Sequence, residues 1–292
     1  MIKTIKIFVA MLLLLLPYIG FAQNETAAKR FLPEKYDHYL ELPYKKVGNW
    51  QGVMDLFIPQ NTTKPTPLIL FVHGGGWTQG SKGTANQFKV FFKQGYAVAT
   101  IEYRLAKDAP APAAVEDVRS ALCFLLKDAK YNIDPNKVVL MGGSAGGHLA
   151  LLAGYIENDK RFDVDCDYRK PIKIAAVVDK FGITDVWDYI NSKSGSRNAI
   201  WLGDKAKDQE FAKLLSPLSH VKRTSPPTFI VHGTADPSVN YQQSVQLKEA
   251  LDKNGVKNQM ITVQDGLHGR FTSEKNAEIN SEIIKFLKNL GI

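Results

Sequence analysis

The sequence contains a serine in a context that could make it a catalytic nucleophile. Ser144 is the central residue of G-x-S-x-G in VVLMGGSAGGHLALL, where an apolar strand-like run leads through glycines into an apolar helix-like run. A strand–turn–helix of this kind presents a serine hydroxyl at a tight turn, next to the N-terminus of a helix. Because a serine hydroxyl is a weak nucleophile until a base takes its proton, the hypothesis requires a histidine and a carboxylate nearby.

His268 is the predicted base. It lies in DGLHGR, after a predicted strand and before the last predicted helix, at the edge of the sheet where open α/β folds place their ligands. The other five histidines are less well placed for this role. They lie in the N-terminal arm (His38), in a glycine loop that the ring is expected to brace (His73), on the helix leaving Ser144 (His148), in a loop (His220) and in the core at a strand end (His232).

Asp236 is the predicted orienting carboxylate. It occurs in FIVHGTADP, just after the strand that precedes the His268 strand, so both side chains are expected at neighbouring loops of one sheet edge. Asp265 is a rival that reads better as a turn residue, and Asp185 and Asp188 read better as residues at a helix start or in a lid. The order serine, aspartate, histidine is typical of the α/β-hydrolase fold.

A glycine-rich loop could stabilise the oxyanion that forms when a serine attacks a carbonyl. HGGGW follows an apolar strand, and its glycines expose main-chain N–H groups. The predicted oxyanion hole consists of the N–H groups of Gly74, Gly75, Gly76 and Ala145. A phosphate-binding loop is the competing interpretation, but no Lys-Ser/Thr pair follows the glycines.

The elements that must position these residues alternate between strands and helices. Short apolar, β-branched runs predict strands at 52–58, 68–72, 97–101, 138–141, 174–179, 228–231 and 259–263. Helical patterns lie at 86–94, 113–127, 145–156, 241–254 and 274–289. The alternation predicts a mostly parallel central sheet with helices on both faces.

Further local patterns complete this prediction. Residues 23–40 have no clear period and are expected to form an N-terminal arm, while the long segment 182–217 predicts a small cap, with a surface helix pair as the alternative. Asp134-Pro135 predicts a turn before strand 138–141, and Asn254-Gly255 predicts a left-handed end of a helix.

Composition and the N-terminus limit the classes of protein further. The chain has 292 residues, 45% hydrophobic and 23% charged, which predicts one domain over 23–292. Residues 1–22 combine two lysines, an apolar run and a small-x-Ala end at Ala22, which predicts a signal peptide and export to the periplasm or the medium. A membrane anchor is the rival, but Pro17 interrupts a run already too short to span a bilayer.

Other partners receive little support from the sequence. The formal net charge of +8 is spread along the chain, so nucleic-acid binding is not expected. No metal-binding motif occurs, and neither a metal nor a cofactor is expected. Cys123 lies in an apolar helical run and is expected to be a buried free thiol. A disulfide with Cys166 stays open if the protein is exported.

The combination of motifs resembles a known family. HGGGW, YRLAKDAPAPAAVEDVRSALCFL, GGSAGGHLA, SPLSHV, HGTADPSV and GLHG are similar to the hormone-sensitive-lipase-like esterases, and within them to the bifunctional acetylxylan/feruloyl esterase (BD-FAE-like) group. The resemblance implies removal of acetyl or feruloyl groups from plant polysaccharides, and a structural or supporting role for Glu116 and Asp117. Leu267 and Asp265-Gly266 depart from the usual residues of the group before the histidine, which affects the expected acyl pocket.

Three functions are therefore compared. The first is a serine carboxylesterase acting on a small ester or an acylated polysaccharide. The second uses the same residues on an N-formyl aromatic amine, because HGGGW also fits the HGGxW pattern of kynurenine formamidases, although the predicted signal peptide disfavours an intracellular pathway. The third is a non-catalytic binding module, which the presence of every triad member disfavours.

Overall fold

The centre of the molecule is an eight-stranded sheet, in a computed structural model that describes residues 31–292. The strands are β1 Tyr36–Val47, β2 Trp50–Pro59, β3 Thr66–Val72, β4 Ala97–Ile101, β5 Ile133–Gly143, β6 Ala176–Lys180, β7 Thr228–Gly233 and β8 Asn258–Val263. Their order across the sheet is β1-β2-β4-β3-β5-β6-β7-β8. The pairs β1–β2 and β2–β4 are antiparallel and the other five are parallel.

Seven α-helices connect or flank these strands within the described residues. They are α1 Lys89–Phe92, α2 Ala113–Lys127, α3 Ala145–Tyr155, α4 Val186–Asn191, α5 Gln209–Leu214, α6 Gln242–Lys253 and α7 Ser273–Lys288. Short 3₁₀ helices occupy Ala85–Phe88, Ala129–Tyr131, Ser196–Lys205 and Pro217–His220. The stretch between β6 and β7 thus contains four helical pieces and no strand.

Each face of the sheet is covered by apolar side chains. On one face, strand residues such as Leu70 and Leu140 pack with α2, α3 and α6. On the other, Ile69 and Val139 pack with α1 and α7. Successive residues of a strand point to opposite faces, so central strands with both faces covered must be apolar throughout. The continuous apolar runs of the sequence reflect this arrangement.

The predicted fold class is confirmed, and most predicted elements match the structure. Helix α2 has the predicted bounds, and the observed bounds of α3, α6 and α7 differ from the predicted ones by about one residue. Gly255 has a φ of 66°, in agreement with the predicted left-handed end of α6.

The prediction of an N-terminal arm over residues 23–40 is wrong for residues 36–40, because strand β1 begins at Tyr36. This strand pairs antiparallel with β2, and its register shifts twice, between Tyr39 and Leu42 and between Pro43 and Lys45. A bulge adds a residue to one strand and breaks the alternation of inward and outward side chains. Because of the two shifts, apolar and polar residues do not alternate regularly along β1, which explains why the sequence did not predict this strand.

The predicted turn at Asp134-Pro135 lies inside β5 rather than before it. Thr66 pairs with Ile133 and Leu68 pairs with Val138, so β5 advances by five residues where β3 advances by two. The Asp134 side chain accepts a hydrogen bond from the N–H of Asn136 at 2.9 Å, as in an Asx turn. The local turn chemistry is therefore present, but it forms an irregularity within a longer strand.

The expected free thiol is also wrong, because Cys123 and Cys166 form a disulfide. Cys123 is buried in α2, as expected, but residues 157–171 fold back over that helix. The Arg119 side chain of α2 holds this segment through Asp163, with Nε–Oδ1 and Nη2–Oδ2 distances of 2.6 and 2.9 Å. Sequence periodicity places a residue on a helix face but does not reveal which distant loop covers that face.

Residues 31–292 contain no helix that is both long and apolar enough to cross a bilayer. The predicted signal peptide, 1–22, and the first part of the predicted arm lie outside the described residues. From Leu32 to Ile292 the chain forms one compact unit.

Candidate active site

Ser144 stands at a sharp turn between β5 and α3. Its φ and ψ are 56° and −128°, a combination that side-chain-bearing residues rarely adopt. The flanking glycines are required by close contacts. A Cβ on Gly142 would lie 2.2 Å from the Gly146 carbonyl oxygen, and a Cβ on Gly146 would lie 2.1 Å from that of Val72. The G-x-S-x-G pattern thus lets a strained serine sit between a strand and a helix that nearly touch.

Asp236 and His268 are in direct contact. His268 Nδ1 lies 2.7 Å from Asp236 Oδ2. Since a carboxylate can only accept, Nδ1 carries the shared proton, and the lone pair of Nε2 is left for use as a base. The two residues follow β7 and β8, which are adjacent strands of the parallel sheet.

The surroundings of Asp236 hold its carboxylate in the ionised form. Burial favours the neutral acid, but hydrogen bonds from His232, His268 and the Val239 N–H outweigh it and lower the pKa of Asp236 below its usual range. The other oxygen, Oδ1, accepts from the N–H groups of Ser238 and Val239 at 2.8 and 3.0 Å. An ionised carboxylate fixed in this way can orient an imidazole and stabilise its positive charge.

His268 differs from the other five histidines in its partners. Each of the others donates a ring N–H to a backbone carbonyl: His38 to Pro33, His73 to Gly74, His148 to Leu215, His220 to Leu214 and His232 to Val239. Within the described residues, the only hydrogen-bond partner of His268 is Asp236. Its side chain is 24% exposed and lines a cavity that a substrate could enter.

Ser144 and His268 line the same cavity, of about 660 Å³. No residue between 31 and 292 forms a hydrogen bond with the Ser144 hydroxyl. Contacts between a nucleophile and its base are often long in enzymes without substrate and shorten in the reacting complex. The arrangement brings Asp236 and His268 together and places Ser144 on the wall of the space that the imidazole faces.

The HGGGW loop lies beside the serine, as the oxyanion prediction requires. A Cβ on Gly74 would lie 2.8 Å from the Gly143 carbonyl oxygen and 3.4 Å from Ser144 Cβ. Gly75 and Gly76 have φ angles of 118° and 60°, and both line the cavity. Within the described part of the chain, none of these three glycine N–H groups, nor that of Ala145, donates to another backbone oxygen outside regular elements.

Trp77 ties this loop to the helices between β6 and β7. Its ring stacks on Trp201, with centroids 4.4 Å apart, and its Nε1–H donates to His148 Nδ1 at 3.1 Å. His148 Nε2 donates in turn to the Leu215 carbonyl at 2.8 Å, and burial lowers the pKa of His148 to about 4, so the ring stays neutral. The glycine loop, α3 and the 182–217 segment are thereby fixed to one another.

Glu116 and Asp117 hold an arginine below the site. Asp117 is fully buried and accepts from Arg104 Nε at 2.9 Å and from the Arg104 backbone N–H at 2.9 Å. Glu116 accepts from Arg104 Nη2 at 3.0 Å. Arg104 closely follows Tyr103, whose hydroxyl donates to the His73 carbonyl at 3.0 Å. Neither acid lines the cavity, and their contacts fit the supporting role that the resemblance implies.

Several cavity residues were not predicted. Phe181 packs edge-to-face on His268, with centroids 4.7 Å apart, and Tyr189, Arg197 and Asn198 come from the segment between β6 and β7. Phe181 follows a strand end, which is a usual position for site residues, so its place was a usable signal. The other three lie in short helices whose orientation no local pattern determines. Residues 31–292 hold no cluster of side chains suited to a metal ion.

The chain matches the BD-FAE family over residues 54–251. Among curated proteins, it is 29% identical to Esterase LipC of Mycobacterium tuberculosis, over 65% of this chain and 49% of the relative. It is 30% identical to the probable isoprenylcysteine alpha-carbonyl methylesterase ICMEL1 of Oryza sativa, over 74% of this chain and 53% of the relative. The chain therefore spans about half the length of these curated relatives.

Solved structures of esterases also match this chain. A truncated carbohydrate esterase from gut microbiota superposes with a TM-score of 0.74 at 27% identity, over 88% of this chain and 99% of that one. A bifunctional GH43-CE protein of Bacteroides eggerthii superposes with a TM-score of 0.72 at 26% identity, over 87% of this chain and 38% of that one. The resemblance noted in the sequence is confirmed: this chain belongs to the BD-FAE family of α/β-hydrolase esterases.

Proposed function

We propose that this chain is an exported serine carboxylesterase that removes acetyl or feruloyl groups from a plant polysaccharide such as xylan. The observation that carries the proposal is the Asp236–His268 pair, at 2.7 Å, facing the cavity that Ser144 also lines. For the proposed hydrolysis, the ester carbonyl must lie between Ser144 and the glycine loop.

In the proposed mechanism, His268 Nε2 takes the proton from the Ser144 hydroxyl as the Ser144 oxygen attacks the ester carbonyl. The oxyanion is stabilised by the N–H groups of Gly74, Gly75, Gly76 and Ala145. His268 then gives its proton to the leaving alcohol, and an acyl-serine remains. Water then attacks the acyl carbon as His268 takes one of its protons. The second tetrahedral species collapses with cleavage of the bond to Ser144 Oγ, the acid leaves, and His268 returns the proton to Ser144 Oγ.

The shape of the site supports a long substrate. The Ser144 cavity shares Ser194 and Pro237 with a cavity of about 400 Å³. It shares Phe71 and Gly74 with another cavity, of about 380 Å³. Two further depressions adjoining the Ser144 cavity support a chain of sugar units as the substrate over an isolated small ester. The carbohydrate-esterase relatives support the same substrate class.

Export is supported by two separate features. The predicted signal peptide over 1–22 includes lysines before an apolar run. The Cys123–Cys166 disulfide is typical of proteins that fold in oxidising compartments. The 182–217 segment is proposed as the cap, because Tyr189, Ser194, Arg197 and Asn198 from this segment line the cavity.

The proposal is tested with the purified protein and its Ser144→Ala variant. We expect hydrolysis of 4-nitrophenyl acetate and release of acetate or ferulate from native xylan by the wild type, and loss of both in the variant. Covalent labelling of Ser144 by a fluorophosphonate probe is expected as well. Equal rates of hydrolysis by the two proteins contradict the proposed role of Ser144. A wild type that neither hydrolyses these esters nor is labelled contradicts the proposal and favours a binding module.

The formamidase alternative is tested in the same assays. N-formylkynurenine is supplied in parallel with acetylated xylan under identical conditions. Higher kcat/KM on the formamide than on every ester supports a formamidase and contradicts the proposed substrate, while leaving the triad intact.

A further inference from the structure

Among the described residues that line the cavity beside Ser144, the permanently charged side chain is positive. Its lining is otherwise glycine, aromatic or neutral polar, and includes Thr78, Gln79, Ser194 and Ser238. Arg197 is the one permanently charged side chain of this lining within the described residues, which contains no aspartate, glutamate or lysine. A substrate entering this space therefore meets a cation and no fixed negative charge except that of the buried Asp236 behind His268.

Arg197 has no protein partner that would neutralise it. Among residues 31–292 no carboxylate lies within ion-pair distance of its guanidinium, and no hydrogen bond is formed by its side chain. By contrast, the two buried arginines, Arg104 and Arg119, are each paired with aspartate. A guanidinium has five donors in a planar fork that fits a carboxylate, so an unpaired one at a substrate site is suited to bind an anion.

Arg197 directly precedes Asn198, a residue that packs against the predicted oxyanion hole. Asn198 Nδ2 donates to the Tyr189 hydroxyl at 3.0 Å. A Cβ on Gly76 would lie 2.4 Å from Asn198 Nδ2, so the Asn198 amide packs directly on the glycine loop. Tyr189, Arg197 and Asn198 all belong to the lining of the cavity that Ser144 lines.

From these observations we infer that Arg197 is a specificity-determining residue for esters that carry a carboxylate close to the scissile bond. The inference rests on the proposed esterase function and names a narrower substrate class for it. The carboxylate can belong to the alcohol part, as in an acylated sugar next to a uronic acid, or to the acyl part, as in a dicarboxylic half-ester. Both sources present the same anion to the same guanidinium.

The experiment compares matched anionic and neutral esters in two arms. In the first, acetylated xylo-oligosaccharides with and without a uronic acid side group test a carboxylate on the alcohol part. In the second, monomethyl succinate and methyl butyrate test a carboxylate on the acyl part. The wild type is compared with Arg197→Gln, and with Lys207→Gln as a control that removes one charge from an exposed lysine of the same segment outside the cavity.

We expect the ratio of kcat/KM for the anionic ester to that for the neutral ester to fall by about tenfold in Arg197→Gln, in at least one arm. Arg197 is exposed, so the expected effect is at the lower end of the range for a charge-assisted hydrogen bond. The Lys207→Gln ratio is expected to match the wild type. Added salt should lower the wild-type ratio and leave the Arg197→Gln ratio nearly unchanged, because ions screen exposed charges. An unchanged ratio in both arms overturns the inference.

Binding measurements separate this inference from the proposed function. Calorimetry compares Ser144→Ala with Ser144→Ala/Arg197→Gln for the uronic acid-bearing and neutral oligosaccharides. If the wild type hydrolyses no ester, the proposed function fails, and the calorimetric preference for the anionic oligosaccharide still decides whether Arg197 binds a carboxylate. Equal affinities for the two oligosaccharides in Ser144→Ala, with no preference in either hydrolysis arm, overturn the role of Arg197.

Discussion

His232 Nε2 lies 3.2 Å from Asp236 Oδ2, so a buried histidine contacts the same carboxylate oxygen that His268 contacts. The two rings are not equivalent. His232 is fully buried, and its Nε2–H is shared with the Val239 carbonyl at 3.0 Å, while Nδ1 lies 2.7 Å from the Ser244 hydroxyl. With Nε2 protonated, Nδ1 accepts from Ser244, and a neutral ring has all its hydrogen bonds satisfied. His232 therefore acts on Asp236 as a fixed dipole behind the proposed triad.

Replacing His232 is expected to weaken both the site and the fold. In His232→Phe, Asp236 loses one donor to Oδ2, and the Val239 carbonyl and Ser244 hydroxyl lose a buried partner. We expect kcat to fall about tenfold with little change in KM, and the free energy of unfolding to fall by about 1–3 kcal/mol. Steady-state kinetics and urea denaturation measure the two effects.

A matched change at His220 provides the control. His220 also donates to a backbone carbonyl, that of Leu214, but it lies outside the Ser144 cavity. His220→Phe is expected to keep the wild-type kcat. If His232→Phe also keeps the wild-type kcat while it is folded, His232 has no positioning role and only stabilises the core.

Asp179 predicts an unusual dependence of stability on pH. Both of its carboxyl oxygens are buried without a hydrogen-bond partner among the described residues, in the space left by Gly147 and Gly182. Burial raises its pKa to about 8; the Gly182 N–H is near enough to oppose this electrostatically, but it does not reach hydrogen-bonding geometry. Between an unfolded pKa near 4 and this value, the folded protein binds more protons than the unfolded chain. The contribution of Asp179 to stability is therefore present at acid pH and lost as the pH rises.

Asp179→Asn should remove this dependence, because an amide does not titrate in the range. Comparing urea denaturation at about pH 5 and about pH 8, we expect the wild type to lose at least about 2 kcal/mol more than the variant over this range. Asp204→Asn, at an exposed aspartate, should keep the wild-type slope. Identical slopes for the wild type and Asp179→Asn contradict an uncharged Asp179.

Features that local constraints impose on the chain could be predicted from the sequence, whereas features that depend on contacts between distant segments could not. The strained turn at Ser144 requires glycines at fixed positions, and parallel strands require apolar runs, so both leave local signatures. The packing of residues 157–171 over α2, with Cys166 against Cys123, depends on contacts between distant segments and leaves none. Arg197 is similar: its charge is visible in the sequence, but its place in the cavity depends on how the 3₁₀ helix Ser196–Lys205 packs on the rest of the fold. The roles of Ser144, Asp236 and His268 stay predictions.

Removal of the disulfide is expected to destabilise the protein without removing activity. The bond joins residues 43 apart in sequence, so it restricts a long loop of the unfolded chain. In Cys123→Ala/Cys166→Ala we expect the free energy of unfolding to fall by about 2–4 kcal/mol, and kcat to stay near the wild-type value because neither cysteine lines the Ser144 cavity. The wild type under reducing conditions should show the same loss. A denaturation midpoint that neither change affects means that the bond does not constrain the unfolded chain.

The last prediction concerns the backbone of the glycine loop. A Cβ on Gly75 would lie 1.9 Å from the Gln79 carbonyl oxygen, and the φ of 118° already disfavours a side chain. Gly75→Ala must therefore move the loop, and with it the proposed oxyanion donors, so we expect kcat to fall by about 100-fold or more. Gly48 also has a positive φ, of 55°, but no atom lies within 4 Å of a Cβ there, so Gly48→Ala adds backbone strain alone and should keep the wild-type kcat. Gly76→Ala is a milder test, because its Cβ would meet the end of the Asn198 side chain, which can rotate away. Thermal unfolding followed by circular dichroism shows that each variant is folded before its kcat is measured. A folded Gly75→Ala with undiminished kcat places the oxyanion hole elsewhere, since a displaced loop could not then hold the groups that stabilise the developing charge.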